Sequence, residues 1–419
     1  MEWTEETVGR HRRRVLIIVQ NLPVPLDRRV WQESLALVEA GYQVSVICPR
    51  APGDPDHTVL DGVHVHKYTP PRASRGALGF AVEFVYCWLQ TLRLTLHVLR
   101  HEGFDVIQAC NPPDTYFALA LPFKLVGKRF VFDHHDLCPE LFDARFGTGG
   151  SPVLRHGLEA LEAATYRTAD HVIVTNASFR AVATGRGSRS PDSVTIVRSG
   201  PRAARMQKGT ARPELRSGRD HLAVYLGVMG PQDGVDLLLH GFAHLVHDLG
   251  RDDVHLGLLG FGDCHDELVE LSRELRIDDH TTFTGRADDR MIQDWFSTAD
   301  VAVAPDPRNA FNDRCTMNKV IEYMAYELPI VSFDLTESRF SAGDAAVYVD
   351  GDDPPALGRA IADLLDDPDE RARMGRVGRA RVDRALAWEH QSRHYVAAFD
   401  RLLDVRPPDP IRVGARGTA

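Results

Sequence analysis

An alternation that runs twice constrains the fold most. Short apolar, β-branched runs and longer amphipathic segments take turns from residue 15 to residue 197, and the pattern restarts at residue 222. In the first half the spacing predicts strands at 15–19, 42–48, 63–68, 105–109, 129–133 and 194–197, with a turn and strand at 169–176. Helices are predicted at 30–40, 78–99, 115–125 and 154–168. In the second half strands are predicted at 222–226, 254–259, 281–284, 301–304, 330–333 and 346–349. The helices between and after them are 235–247, 267–275, 291–298, 316–325, 355–365, 370–386 and 389–403. A strand, a helix and a second strand joined in this way run parallel, and parallel sheets are covered by helices on both faces. A chain of 419 residues is too long for one ordinary core. The stretch 199–220 is rich in Gly, Pro, Ser and Arg without periodicity, which marks a boundary. The expected fold class is therefore α/β, with two doubly wound Rossmann-like domains facing across a cleft. The expected parts are an N-terminal domain over 1–198, a linker over 199–220 and a C-terminal domain over 221–388. A last helix over 389–405 and a tail over 406–419, which lacks an apolar pattern, complete the chain.

Charge narrows the function. The net charge of −10 is uneven. Residues 1–198 hold 22 Lys and Arg against 21 Asp and Glu, and residues 199–419 hold 27 against 38. An acidic second half argues against nucleic-acid binding, which needs a basic surface. The six cysteines (48, 87, 110, 138, 264 and 315) are dispersed, with no Cys-x-x-Cys pair. That fits a reducing, cytoplasmic setting and argues against a disulfide framework or a cysteine zinc site. The N-terminus lacks the apolar core of a signal peptide.

Open α/β sheets bind ligands at the carboxyl ends of their strands. In the first half these ends carry the loop from Asn21 to Arg29 and the His134-His135-Asp136 cluster after the strand RFVFD. Asp27 and Arg28 stand at a helix start, where capping with a solvated arginine and contact with a substrate are both open. His135 is expected to touch substrate. The plainer alternative is a packed histidine with Asp136 as a helix cap. In the second half Gly260-Phe-Gly262 lets backbone approach closely but lacks the third glycine of the dinucleotide fingerprint. Thr284, Gly285 and Arg286 end the next strand. The stretch NDRCTMNKVIEYMAYELPIVSFD (312–334) is a polar loop, a short helix, a turn and a buried strand. Asp313 and Thr316 are good N-cap types, and Lys319 and Glu322 lie one turn apart on one face. A helix start with a lysine beside it suits phosphate.

Two features leave a peripheral membrane contact of the N-terminal domain open. Residues 10–14 read RHRRR, either a solvated run or a contact for anionic lipid. The segment 78–99 is long and aromatic, but Glu83, Gln90, Arg93 and His97 interrupt it. A membrane span is thereby excluded, which leaves a domain helix or an amphipathic face against a bilayer.

The order of several segments is similar to that of the family 4 glycosyltransferases with the GT-B fold. The segments are Asp27-Arg-Arg-Val with Glu33 and Gly41, VFDHHDLCPE, LLGFGD, TFTG, TADVAVAPD and KVIEYMAYELPIVSFD. The resemblance covers roughly residues 15–403. It implies transfer of a sugar from a nucleoside-diphosphate sugar with retention at the anomeric carbon. The donor would lie on the C-terminal domain and a sugar or lipid-linked acceptor, such as a cell-envelope or polysaccharide precursor, on the N-terminal one. No cofactor and no metal is implied, because a helix start and basic side chains neutralise the diphosphate. By position, Glu322 corresponds to the glutamate on the donor ribose, and Thr316, Met317 and Asn318 to backbone at the phosphates. Gly260 and Gly262 correspond to the glycine loop, and residues 284–286 to the strand end near the base. His135 corresponds to the histidine beside the sugar, with Asn21, Asp27, Arg28, His134 and Asp136 on the acceptor side. Lys319, Arg314 and Asp313 complete the expected donor clamp.

The sequence departs from that family in three places. Arg314 fills the slot of the first of two glutamates separated by seven residues. Val228 and Asp233 fill slots that hold an Arg and a Lys, and Glu327 stands where a glycine follows the helix. Two other functions share such a fold: a sugar-nucleotide 2-epimerase, and a protein that binds sugar nucleotides without catalysis.

Overall fold

The computed structural model describes residues 13–71 and 76–404. Residues 10–12 of the 10–14 run and the tail 406–419 lie outside the described residues. In the first half β1 (Arg14–Ile18), α1 (Arg28–Glu39), β2 (Gln43–Pro49), β3 (His57–Leu60), β4 (Val63–Tyr68) and α2 (Gly76–His101) come first. They are followed by β5 (Val106–Cys110), α3 (Tyr116–Lys124), β6 (Arg129–His134), α4 (Cys138–Phe146), α5 (Pro152–Thr168), β7 (His171–Val174), α6 (Ala177–Thr184) and β8 (Val194–Ile196). The sheet order is β3-β4-β2-β1-β5-β6-β7-β8, parallel except for the edge strand β3.

The second half holds β9 (His221–Val228), α7 (Val235–Ala243), β10 (Val254–Phe261), α8 (His265–Glu274), β11 (Thr281–Gly285), α9 (Asp289–Thr298) and β12 (Val301–Ala304). Then come α10 (Asn318–Ala325), β13 (Ile330–Phe333), α11 (Thr336–Ala342), β14 (Ala346–Val349), α12 (Pro354–Asp366), α13 (Pro368–Arg381) and α14 (Trp388–Leu402). Its six strands are all parallel, in the order β11-β10-β9-β12-β13-β14. The strand order reverses between β1 and β5 in one domain and between β9 and β12 in the other. Such reversals open the crevices that receive ligands.

The elements follow from local chemistry. Helix α1 starts where the Asp27 carboxylate accepts from Val30 N, and it ends before Gly41, whose φ of 91° only glycine adopts freely. Its inner face of Val30, Ala36 and Leu37 packs on β1 and β2. The strands β1, β9 and β12 are apolar on both faces and carry two core clusters each, as a doubly covered sheet requires. Helix α14 packs on the first domain, not the second. Trp388, Tyr395, Phe399 and Leu403 join the core of α1 and β2, and Tyr395 Oη donates to Gln108 at 2.6 Å. The chain thus crosses between domains twice, near 198–202 and at 386–388. The crossings touch where Trp388 N donates to Pro201 O.

Candidate functional site

The two domains meet along a line of polar contacts at the carboxyl ends of their strands. Asn176 caps α6 through Phe179 N, and its amide nitrogen donates to Arg314 O at 2.7 Å and Thr316 Oγ1 at 2.9 Å. Arg198 reaches Thr316 Oγ1 and the buried Glu337 carboxylate, and Ser178 Oγ donates to the same carboxylate. Arg314 pairs with Glu140 at 2.9 Å, a carboxylate also gripped by Arg186. Met317 packs against apolar cores of both domains. The loop 312–317 is therefore an inter-domain seam.

That seam corrects several expectations. Helix α10 begins at Asn318, with Met317 as its N-cap and no side-chain cap. Thr316 does not cap it because its hydroxyl is taken by Asn176 and Arg198. Asp313 does not cap it either, since its carboxylate accepts from Thr336 N and Oγ1 at the start of α11. Arg314 is paired across the seam with Glu140. Lys319 is not a free phosphate ligand: its Nζ lies 2.7 Å from Asp306 Oδ1 and over the Tyr225 ring. Burial opposes the ammonium charge, but Asp306 and Asp233 outweigh it and hold Lys319 above its ordinary range. Burial pushes Asp233 up to about 6 against the pull of Lys319, and it accepts from Gly230 N at 2.9 Å.

The glycines are required by packing at the strand ends. A Cβ on Gly260 would overlap the Gly227 carbonyl, and one on Gly262 would strike Met229 backbone. Both let the ends of β9 and β10 pack against each other. Gly285 has a φ of 67°, Thr284 Oγ1 bonds the Gly285 carbonyl, and Arg286 lies over the Phe261 ring at 4.9 Å.

On the first domain the cluster after β6 splits. His134 has no exposed surface. Its Nδ1 bonds Tyr166 Oη at 2.8 Å, and burial pushes the imidazole down to about 3. It is a core histidine and cannot face an acceptor. His135 is partly exposed, and its Nε2 sits 2.9 Å from Arg29 Nε and 2.8 Å from Asp133 Oδ2. One nitrogen thus has a donor and an acceptor at hand for either tautomer. Asn111 clamps this loop by accepting from His135 N and Asp136 N and donating to Asp136 O. Asp136 does not cap α4, whose N-cap is Leu137, and burial raises its carboxyl. Asp27 spends its carboxylate on its helix cap, as the plainer reading has it. Asn21 is exposed in the loop before α1.

Sequence reasoning missed the network behind His135. The Arg29 guanidinium is buried between Asp133 at 2.9 Å and Glu33 at 3.0 Å. Burial would raise Asp133, but Arg29 and His135 outweigh it and hold it below the usual carboxylate range. Burial and Asp133 together hold Glu33 well above that range. The i,i+4 spacing of Arg29 and Glu33 is the one local signal for this network. Its third member lies 104 residues away.

A cavity of about 1380 Å³ opens between the domains beside this seam. Helix α1, the 199–212 segment, the loop into α9 and the first turns of α10 line it. Four expected residues meet there: Arg28, Arg286, Asn318 and Glu322. Arg28 crosses the cleft to Glu322 Oε1 at 3.2 Å and also pairs with Asp289. Burial raises the Glu322 carboxyl while Arg28 opposes it. Seven arginines and five carboxylates line the cavity, so its walls favour an anion. His135, Lys319 and Thr316 are not among the lining residues.

Comparison with known proteins follows the same division. Residues 26–200 match the family model of the glycosyl transferase 4-like domain, and residues 220–367 match that of glycosyl transferases group 1. A D-inositol 3-phosphate glycosyltransferase of Thermomonospora curvata is 29% identical over 234 residues, covering 51% of each chain. The MMP alpha-(1->4)-mannosyltransferase of Mycolicibacterium hassiacum is 27% identical over 334 residues, covering 70% of this chain and 76% of its own. The chain spans about half the length of the first curated relatives it matches. Among solved structures, sucrose-phosphate synthase from Thermosynechococcus elongatus superposes with a TM-score of 0.76 at 19% identity, over 94% of this chain and 100% of its own. Anabaena HepE in complex with UDP-glucose does so with a TM-score of 0.66 at 14% identity, over 93% and 99%.

Proposed function

Because the chain belongs to the family 4 glycosyltransferases and has their GT-B fold, we propose that it moves a sugar from a nucleoside-diphosphate sugar to an acceptor, with retention. The observation that carries this reading is the inter-domain cavity with Glu322 and Asn318 in its wall and an excess of arginine around it. The start of α10, with no side-chain cap, supplies N–H groups to an anion. Arg286 and the 199–212 arginines supply counter-charge in place of the missing Arg/Lys pair, since Lys319 is neutralised by Asp306. Glu322 orients the donor through its ribose once Arg28 releases it. His135, steadied by Asp133 and Arg29, faces the sugar side. The attacking oxygen enters from the leaving-group face, a phosphate oxygen takes its proton, and closure of the domains excludes water. No metal or cofactor is needed for this chemistry.

The acceptor reading rests on α2. Val82, Val85, Tyr86 and Leu89 are exposed along one face at i, i+3, i+4 and i+7, with Val82 63% exposed. An apolar stripe of this kind suits a lipid-linked acceptor at an anionic membrane surface, at its cytoplasmic face. Among the described residues no helix is long and apolar enough to cross a membrane.

Calorimetry with UDP, GDP, ADP and dTDP tests the donor site. One of them should bind, and Glu322→Ala should lower turnover at least tenfold with the matching sugar nucleotide. Binding of none would overturn the proposal. The pairing of Lys319 with Asp306 favours a second reading, a sugar-nucleotide-binding protein without transfer. Binding without product in the presence of acceptors separates it, and an altered sugar nucleotide formed without acceptor indicates a 2-epimerase.

A further inference from the structure

The β3–β4 edge of the N-terminal sheet gathers five of the chain's nineteen histidines. Hairpin β3–β4 presents His57 directly opposite His66 in the strand register, and His64 lies two residues before His66 on the same face. Helix α2 ends against this face with His97 and His101 one turn apart, and Glu102 follows them. The rings are close: His57 to His66 is 4.6 Å between centroids, His66 to His97 is 5.6 Å, and His97 to His101 is 4.4 Å.

We infer that His57, His64 and Glu102 form a binding site for one zinc-class divalent metal ion. Each offers a ligand atom, and the three atoms lie within 4.8 Å of one another. Zn²⁺ at about 2 Å from each ligand in a tetrahedron sets them roughly 3.4 Å apart. The exposed His57 closes that difference by side-chain rotation. The carboxylate is already aimed: His66 Nε2 lies 2.7 Å from Glu102 Oε1, His64 Nδ1 lies 3.6 Å from it, and Ser45 Oγ bonds Oε2. Arg14 holds the Glu102 carbonyl from below. The hydrogen bonds from His66 and Ser45 to this carboxylate fix its orientation, and such support of a ligating carboxylate raises metal affinity. Two imidazoles and a carboxylate suit zinc and leave a fourth position to water. Ser45 and His64 are register partners near the amino ends of β2 and β4. None of His57, His64 and Glu102 lines the cavity between the domains, so the site does not depend on the transfer chemistry. A metal there pins the edge hairpin to the end of α2.

The test uses the full chain without a histidine tag, stripped with a chelator. Titration with Zn²⁺ should show one equivalent bound and a raised melting temperature. Co²⁺ should give the intense visible bands of four-coordinate geometry. His57→Ala/His64→Ala changes two surface residues and should weaken Zn²⁺ binding at least tenfold and remove the melting shift. Absence of saturable Zn²⁺ binding in the parent chain overturns the inference. So does unchanged affinity in the double variant, since the ion would then sit elsewhere, for instance on Cys264.

Discussion

Replacing Arg29 with methionine tests the buried network behind His135. The side chain keeps similar length and apolar volume but loses its charge. Asp133 and Glu33, both with no exposed surface, lose the guanidinium between them. Breaking a buried ion pair by removing one partner costs about 3–5 kcal/mol. The buried Val197 carbonyl also loses its donor, which adds about 1 kcal/mol. The total, about 4–6 kcal/mol, is a large part of a domain's stability. It should lower the melting temperature of the N-terminal domain by roughly 10–20 °C. The pH dependence gives a second readout. In the parent, Asp133 is held below its unfolded value, so it adds stability above about pH 4 that is lost as the pH falls further. In the variant burial acts on Asp133 without Arg29, its folded value rises, and acidification from pH 8 to 5 should restore stability. Urea melts followed by tryptophan fluorescence at both pH values measure this. A loss below 1 kcal/mol, or the same pH slope as the parent, refutes the reasoning. Adding Asp133→Leu should recover at least half of the loss, because the pair is then absent rather than broken.

Other perturbations have similarly definite outcomes. Lys319→Ala strands the buried Asp306, whose Oδ2 already lacks a partner, and should destabilise the C-terminal domain by about 3–5 kcal/mol in denaturant melts. Lys319→Ala/Asp306→Ala should recover most of it. Burial pushes Asp114 up to about 7, so its contribution is intact below about pH 4 and lost as the pH rises through 7. Asp114→Asn should therefore stabilise the protein at pH 8, by an amount on the order of 4 kcal/mol, and leave it unchanged at pH 4. Gly260→Ala forces a methyl into the Gly227 carbonyl and should cost about 1–3 kcal/mol, read as a lowered melting temperature.

Much of the fold was legible because each long element carries its own period. Strands β4, β12, β13 and β14 fall at the expected residues, and the two-domain α/β class follows from their alternation. The missing elements lacked such a signal. Strand β3 is an edge strand with little buried surface, and α4, α6 and α11 are short. Helix α6 rests on its Asn176 cap more than on an apolar stripe. The site divided along the same line. Arg28, Arg286, Asn318 and Glu322 stand at element ends that the sequence locates, and they do line one cavity. What the sequence could not show is which charges cancel. Lys319 finds Asp306 thirteen residues back, Arg314 finds Glu140, and Asp133 finds Arg29, all by tertiary proximity. His134 and His135 are adjacent in a strand-to-loop step, so one points into the core and the other out of it.

The return of α14 to the first domain has a consequence during synthesis. When the ribosome has finished β8, the N-terminal domain still lacks Trp388, Tyr395, Phe399 and Leu403 from its core. At ordinary elongation rates that gap lasts roughly 10–40 s, while the entire second domain is translated. Throughout that interval the side of the nascent domain that will receive α14 lies open to solvent. The C-terminal domain, by contrast, can close on itself as soon as Val382, Leu386 and Ala387, the last of its core residues, have emerged. For this chain the later-made domain is the first to be complete, and the earlier one waits on the last helix.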